Sequence, residues 1–265
     1  MNIIVCVKQV PDISEIAVDE NGRLIRQGVP SILNPLDRHA LEAALQIKEQ
    51  QGGTVTVISM GPLQAKLALR ECLAMGADSA VLISDKVFSG SDTLATSRTL
   101  AAAIRTLDRF DLILCGCQSS DSDTGQVGPQ IAEYLGIAQA TYAAHLIAAR
   151  HQIQVQRELD DHYEELQVDL PVLITVVRGN EPRNPSVKNT IKARKAAIRI
   201  MSLSDLGLLV QDVGDKGSAT RVTRVFVPPR QKQGLMIQES TAQQAAKTLV
   251  ERLMPQILSR SNWDG

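Results

Sequence analysis

Leu112-Ile113-Leu114-Cys115, then Gly116-Cys117-Gln118-Ser119-Ser120-Asp121-Ser122-Asp123-Thr124-Gly125-Gln126-Val127-Gly128-Pro129, then residues 130–135, read in turn as an apolar run, a polar glycine-bearing loop and a helix. A buried strand that passes through such a loop into a helix is half of a βαβ unit. Four more short runs rich in β-branched or small apolar residues stand at 3–7, 55–59, 80–83 and 140–144, and amphipathic segments separate the earlier ones. Strands alternating with helices predict an α/β fold, an open and mostly parallel sheet with helices on both faces.

Working outward, the first helix has Asn34 as N-cap, Pro35 in the first helical position and Asp37 at the positive end of the dipole. Its buried stripe would be Leu41, Ala44, Leu45 and the stem of Lys48. A second helix is expected from Pro62 to about Met75, ended by Gly76, and a third from Ser91 or Asp92, turning Leu94, Leu100 and Ile104 inward. Residues 16–26 read as a hairpin turning on Asn21-Gly22. Beyond residue 145 a Gln- and Glu-rich alternation through Ile153, Val155 and 165–168 predicts an antiparallel hairpin at a sheet edge, and 171–177 a further strand. Residues 208–238 have little periodicity, and an amphipathic helix follows over about 241–258; an arm of this kind commonly packs on another chain.

The chain has 265 residues, 44% hydrophobic and 22% charged, which suits one large domain or one domain with an extension. A formal charge of −1 gives no support to a nucleic-acid-binding surface. No apolar run approaches the ~20 residues of a membrane span, and the start lacks a signal-peptide layout. Cys6, Cys72, Cys115 and Cys117 have no disulfide-framework spacing, so the chain is expected in the cytoplasm with reduced thiols. Cys115-x-Cys117 lacks a second ligand pair for a metal. His39, His145, His151 and His162 are scattered, and no acid, base or nucleophile constellation suggests an active site.

Open parallel sheets bind ligands at the carboxyl ends of their strands. The loop after the first strand, Lys8-Gln9-Val10-Pro11-Asp12, has neither a dinucleotide nor a P-loop glycine pattern. Ser89-Gly90-Ser91-Asp92-Thr93 has a faint likeness to an ATP pyrophosphatase phosphate loop but follows the wrong strand, and a plain helix cap is the simpler reading. The loop opening at Gly116 offers flexible backbone, hydroxyls and free N–H groups at a helix start. These are what a phosphate requires, and an ordinary capped polar loop fits the same residues.

Several motifs in order carry a resemblance. Residues 5–11 (Val-Cys-Val-Lys-Gln-Val-Pro), Asn34-Pro35-Leu36-Asp37, Ser59-Met60-Gly61-Pro62, 73–78, the loop after Cys115, and Asn180-Glu181-Pro182-Arg183 with Lys192-Ala193-Arg194-Lys195 together resemble the electron-transfer flavoprotein β subunit, up to about residue 207 and more loosely beyond. The resemblance implies an adenine-nucleotide/FAD-binding domain over 1–207. Over 208–265 it implies an arm and helix packing on a larger α subunit, which holds the electron-carrying FAD. The nucleotide site would comprise Cys6, Asn34, Pro35, Leu36, Asp37, Met60 and the loop from Gly116 to Val127. Cys6 and Met60 would line adenine or ribose, and Asp123, Thr124 and Gln126 would orient phosphates. The loop, with residues 26–31 and 88–93, is more similar to members that carry a second FAD in this site than to those that hold AMP there. In such members NADH reduces the site's flavin. One electron then passes through the α subunit to an acyl-CoA or similar flavin dehydrogenase, the other to a low-potential acceptor such as ferredoxin or flavodoxin. AMP in the same site, in a one-flavin carrier, is the alternative.

Residues 178–199 contain seven basic residues against one acidic, Glu181, while the whole chain carries −1. The plain reading is a solvated helix face. The resemblance implies a docking segment for partner dehydrogenases, with Val187 as an apolar plug where Leu is usual and Lys188, Lys192 and Lys195 as its basic rim. A stand-alone adenine-nucleotide sensor is a rival reading, which the long C-terminal arm disfavours.

Overall fold

The computed structural model describes residues 1–12, 17–18, 24–25, 30–179, 181–223 and 236–260. From β1 (Asn2–Cys6) the chain enters a small antiparallel ladder of β2 (Gln9–Pro11) on β5 (Ser31–Leu33). Between them β3 (Ala17–Val18) pairs with β4 (Leu24–Ile25), as the expected hairpin requires. Its turn, Asn21-Gly22, lies outside the described residues, as do 26–29 and Asn180. There follow α1 (Pro35–Gln51), β6 (Thr54–Met60), α2 (Lys66–Met75), β7 (Ser79–Ile83), α3 (Thr93–Arg105), β8 (Leu112–Gly116) and α4 (Val127–Leu135). The second half holds β9 (Ala138–Ala148), β10 (Gln152–Glu158), β11 (Tyr163–Asp169), β12 (Val172–Val176), α5 (Val187–Lys195), β13 (Arg199–Met201), a single turn α6 (Gly214–Gly217) and α7 (Ala242–Arg260).

Nine strands form one sheet in the order β11-β10-β9-β12-β8-β1-β6-β7-β13. From β9 to β13 neighbours are parallel, and the β9-β10-β11 meander is the antiparallel edge foreseen from the alternation. The period of two divides the strands' side chains between two cores. Ile3, Val5, Val57 and Leu114 pack with Leu41 of α1 and Leu69 of α2. Ile4, Ile58, Val81 and Ile113 pack with Leu100 and Ile104 of α3 and Ile131 of α4. The expected α/β architecture with both faces covered is therefore present.

Element boundaries depart from expectation where local chemistry has a second use. The second helix opens as a 3-10 turn at Leu63–Ala65, and α4 begins at Val127 instead of residue 130. On α3, Leu94 is only half-buried, and Ala95, Thr99 and Ala102 join Leu100 inside. The compact unit runs from Met1 to Arg224, so the boundary expected after 207 falls later. Leu208 and Val213 pack into the α3–α4 core, and Asp212 pairs with Arg98 at 3.1 Å. Asp92, the N-cap of α3, also accepts the Thr220 N–H at 2.8 Å. Gly214, at φ +62, lies so close to Val87 that a Cβ would stand 2.0 Å from its carbonyl oxygen. Residues 208–220 are thus a set of turns laid on α3 and on the connection from β7 into it, fixed by contacts that leave no periodic signature.

Residues 225–265 form a second unit. Within it α7 carries Pro255 and an exposed apolar stripe of Leu249, Val250, Leu253 and Met254. Among the described residues no helix is long and apolar enough to cross a membrane, and no cluster of His, Cys, Asp and Glu has metal-binding geometry. Leu114→Ala, at a fully buried β8 position, should lower stability by about 3 kcal/mol in urea titrations. Ile147→Ala, at a position 63% exposed, should change it by no more than about 0.5 kcal/mol.

Candidate functional site

β1 lies between β6 and β8, with the chain running to one side of it first and to the other side later. Open parallel sheets take their ligands beyond the carboxyl ends of the strands at such a switch point, which is where the loops leaving β1 and β8 stand. Cys6 and Cys115 are register partners there.

Asp37 fixes the crevice floor. It is buried, and its Oδ2 accepts the Lys8 N–H at 2.7 Å while its Oδ1 accepts the Gly116 N–H at 3.0 Å. A Cβ on residue 116 would stand 2.5 Å from Oδ1, so this approach requires glycine. Asn34 does not cap α1 with its side chain, contrary to expectation. Its amide instead donates to the Gln118 carbonyl at 2.9 Å and accepts the Ser120 N–H at 3.2 Å, holding the loop after β8. Asn34 is itself buried, and its amide satisfies one donor and one acceptor of the loop's backbone.

The loop curls upon itself, with the Asp123 N–H donating to the Ser119 carbonyl at 2.8 Å. Asp123 and Gly125 take φ of 56° and 64°. Residues 121–124 are exposed. Lys8 Nζ reaches in to Asp121 Oδ1 at 2.7 Å, Ser122 Oγ at 3.3 Å and Ser119 Oγ at 3.4 Å. Partial burial pushes the Asp121 carboxyl upward, but the Lys8 bond prevails and holds it below the ordinary range. Ser120 Oγ is buried without a hydrogen-bond partner. No side chain caps α4 at the end of the loop, where Gln126 Oε1 instead accepts from Thr93 Oγ1 at 2.8 Å.

The thiols form apolar lining. Burial and then Asp37 push Cys6 up to about 12, and burial foremost raises Cys115 and Cys117, so all three remain protonated. Met60 ends β6, two residues beyond the Cys6 partner Ile58, and is half-buried. In the first turn of α1, Leu36 is half-buried and Pro35 exposed. The structure thus brings Cys6, Asn34, Asp37 and residues 116–122 into direct contact or register. Sequence reasoning missed Lys8, whose distance of over one hundred positions from its loop partners leaves no local signal.

The basic segment lies elsewhere and is anchored. Ser186 caps α5, and Val187 is 79% exposed, with Lys188, Lys192 and Lys195 also exposed. Arg183 forks onto the buried Glu42 of α1, with Nε–Oε2 and Nη2–Oε1 distances of 2.9 Å. Arg70 of α2 caps the other end by donating to the Ala193 and Arg194 carbonyls at 2.6 and 2.7 Å.

Comparison with known proteins gives the family. The family model described as the electron transfer flavoprotein domain matches residues 21–206. The chain belongs to the electron transfer flavoprotein family. It is 46% identical over 256 residues to the electron transfer flavoprotein subunit beta of Thermoanaerobacterium thermosaccharolyticum, covering 96% of this chain and 98% of that one. It is 47% identical over 256 residues to the caffeyl-CoA reductase-Etf complex subunit CarD of Acetobacterium woodii, with the same coverage of 96% and 98%. Against the subunit beta of Clostridium acetobutylicum the identity is 46% over 255 residues, with coverage of 96% and 98%. Within the family the chain is thus a β subunit acting in electron transfer.

Burial pushes the Asp37 carboxyl up to about 7, against the downward pull of its bonds from Lys8, Asn34 and Gly116. A raised carboxyl binds its proton more tightly folded than unfolded, so the Asp37 contribution to stability falls as pH rises from about 4 to about 7 and is flat above. Asp37→Asn removes this slope and lacks one of the two acceptors. In urea titrations at pH 5 and pH 8, the stability lead of the wild type over Asp37→Asn should be smaller at pH 8.

Proposed function

We propose that this β subunit, paired with an α subunit, holds an FAD at the carboxyl ends of β1, β6 and β8 and accepts electrons there from NADH. One electron passes to a flavin dehydrogenase and the other to a low-potential acceptor of the ferredoxin or flavodoxin kind. The observation that carries the reading is the buried, unpartnered Ser120 hydroxyl inside a loop that ends on an uncapped helix start. Buried polar groups are normally paired, and a phosphate oxygen would pair this one. The name of the Acetobacterium woodii relative, which places it in a reductase–Etf complex, supports the family's working with a dehydrogenase-class partner.

The residues divide the work by chemistry. Protonated Cys6 and Cys115 offer neutral lining near the base and ribose. Asn34 and Asp37 set the loop's height above the sheet. Hydroxyls of Ser119, Ser120, Ser122 and Thr124, the first N–H groups of α4 and the Lys8 ammonium offer donors enough for two adjacent phosphates, where AMP has one. Bound FAD would supply the exchange between hydride and single electrons. Val187, on an anchored and basic segment, would enter a pocket of the dehydrogenase while its lysine rim steers the encounter; small interfaces suit carriers that must dissociate. The apolar stripe on α7 would pack on the α subunit.

Acid extraction of the purified heterodimer followed by chromatography should yield two FAD per pair and no AMP. Asp123→Ala with Thr124→Ala should release only one of them. Equal FAD and AMP would overturn the two-flavin reading. Val187→Ala should slow reduction of the partner dehydrogenase several-fold with flavin content unchanged; a parallel loss of flavin would make the segment structural.

A further inference from the structure

β9 is irregular where it reaches the level of the crevice. Its ladder with β12 pairs Ala140 with Ile174 and next Ala143 with Val176, so β9 carries one residue more than its partner. Val176 is in turn level with Gly116 of β8, the first residue of the loop. Within the bulge Tyr142 has φ of 59°, a left-handed conformation that bulky residues rarely adopt. The surroundings enforce it. The Tyr142 N–H donates to the buried Thr175 Oγ1 at 3.1 Å. Arg157 donates to the Thr141 carbonyl at 2.8 Å and to Thr141 Oγ1 at 3.1 Å, and is held by Glu164 at 2.8 Å.

This conformation turns the Tyr142 side chain toward the loop. The residue is 43% exposed, and its hydroxyl lies 3.9 Å from where a Cβ on Gly125 would stand. Glycine would occupy φ 59° without strain, and a regular strand would need no Arg157 clamp. Bulges at the rims of sheets re-aim side chains at binding sites.

We propose that Tyr142 is a nucleotide-binding residue of the crevice, its phenol donating a hydrogen bond to a phosphate oxygen held by the loop of residues 116–126. The assignment rests on the nucleotide-site reading above and adds to it a residue from the opposite part of the sheet. A phenol suits the place: beside a loop that carries Asp121 and Asp123 its O–H supplies a donor to an anionic oxygen.

The test uses the αβ heterodimer stripped of its β-site nucleotide and titrated with FAD and, separately, AMP. Tyr142→Phe keeps ring and backbone; it should melt with the wild type and bind both ligands about tenfold more weakly. Tyr142→Gly should melt no lower than the wild type, because the positive φ is relieved, and bind at least as weakly as the Phe variant. Wild-type affinity in Tyr142→Phe would overturn the role of Tyr142 while leaving the site intact. A Gly variant that melts well below the wild type would make the residue a packing element and overturn the role as well. A wild-type heterodimer that binds neither FAD nor AMP would overturn the nucleotide site itself.

Discussion

The crevice depends on one buried carboxylate. Asp37 accepts N–H groups from the residues that leave the two central strands, Lys8 after β1 and Gly116 at the end of β8. Those strands part company at this point, and no ladder bond joins the loops beyond them. A side chain from the first turn of α1 supplies the missing connection at a point where backbone–backbone pairing has ended. Burial raises the carboxyl toward neutrality, a cost accepted because two otherwise orphaned backbone donors are satisfied. Gly116 follows from the same contact, since any larger residue would displace Asp37.

Around this staple the fold places groups under opposing demands. Asn34 forgoes the helix cap to hold the loop, and Lys8 ties down Asp121, leaving the loop tip exposed but positioned. On the far side of β12 the sheet departs from regular pairing at Tyr142, and Arg157 satisfies the Thr141 carbonyl that the bulge frees. Local irregularities at the carboxyl ends of the strands are thus each offset by a named partner.

The basic segment follows a different logic. Arg183 and Arg70 fix its two ends on α1 and α2, so Val187 is presented on a firm base although nothing covers it. A side chain held on an anchored helix has little backbone freedom left to lose in any contact.

The sequence by itself determined the architecture. β-branched runs alternating with amphipathic segments fix a parallel sheet because side-chain periodicity is local, and the Gln- and Glu-rich alternation marked the antiparallel edge for the same reason. The helix after Asn34 and the loop-to-helix passage after Gly116 were legible from the placing of proline and glycine, although Asn34 does not cap α1 and α4 opens at Val127, earlier than the pattern indicates. Only the tertiary structure decided how they meet. The use of Asn34 on the loop, the Lys8–Asp121 pair, the Arg183 fork on Glu42, the seating of residues 208–220 on α3 and the approach of Tyr142 to Gly125 all join positions far apart in the chain. Such pairings are selected by burial and unsatisfied backbone groups that exist only once the sheet has formed, so no window of sequence contains them.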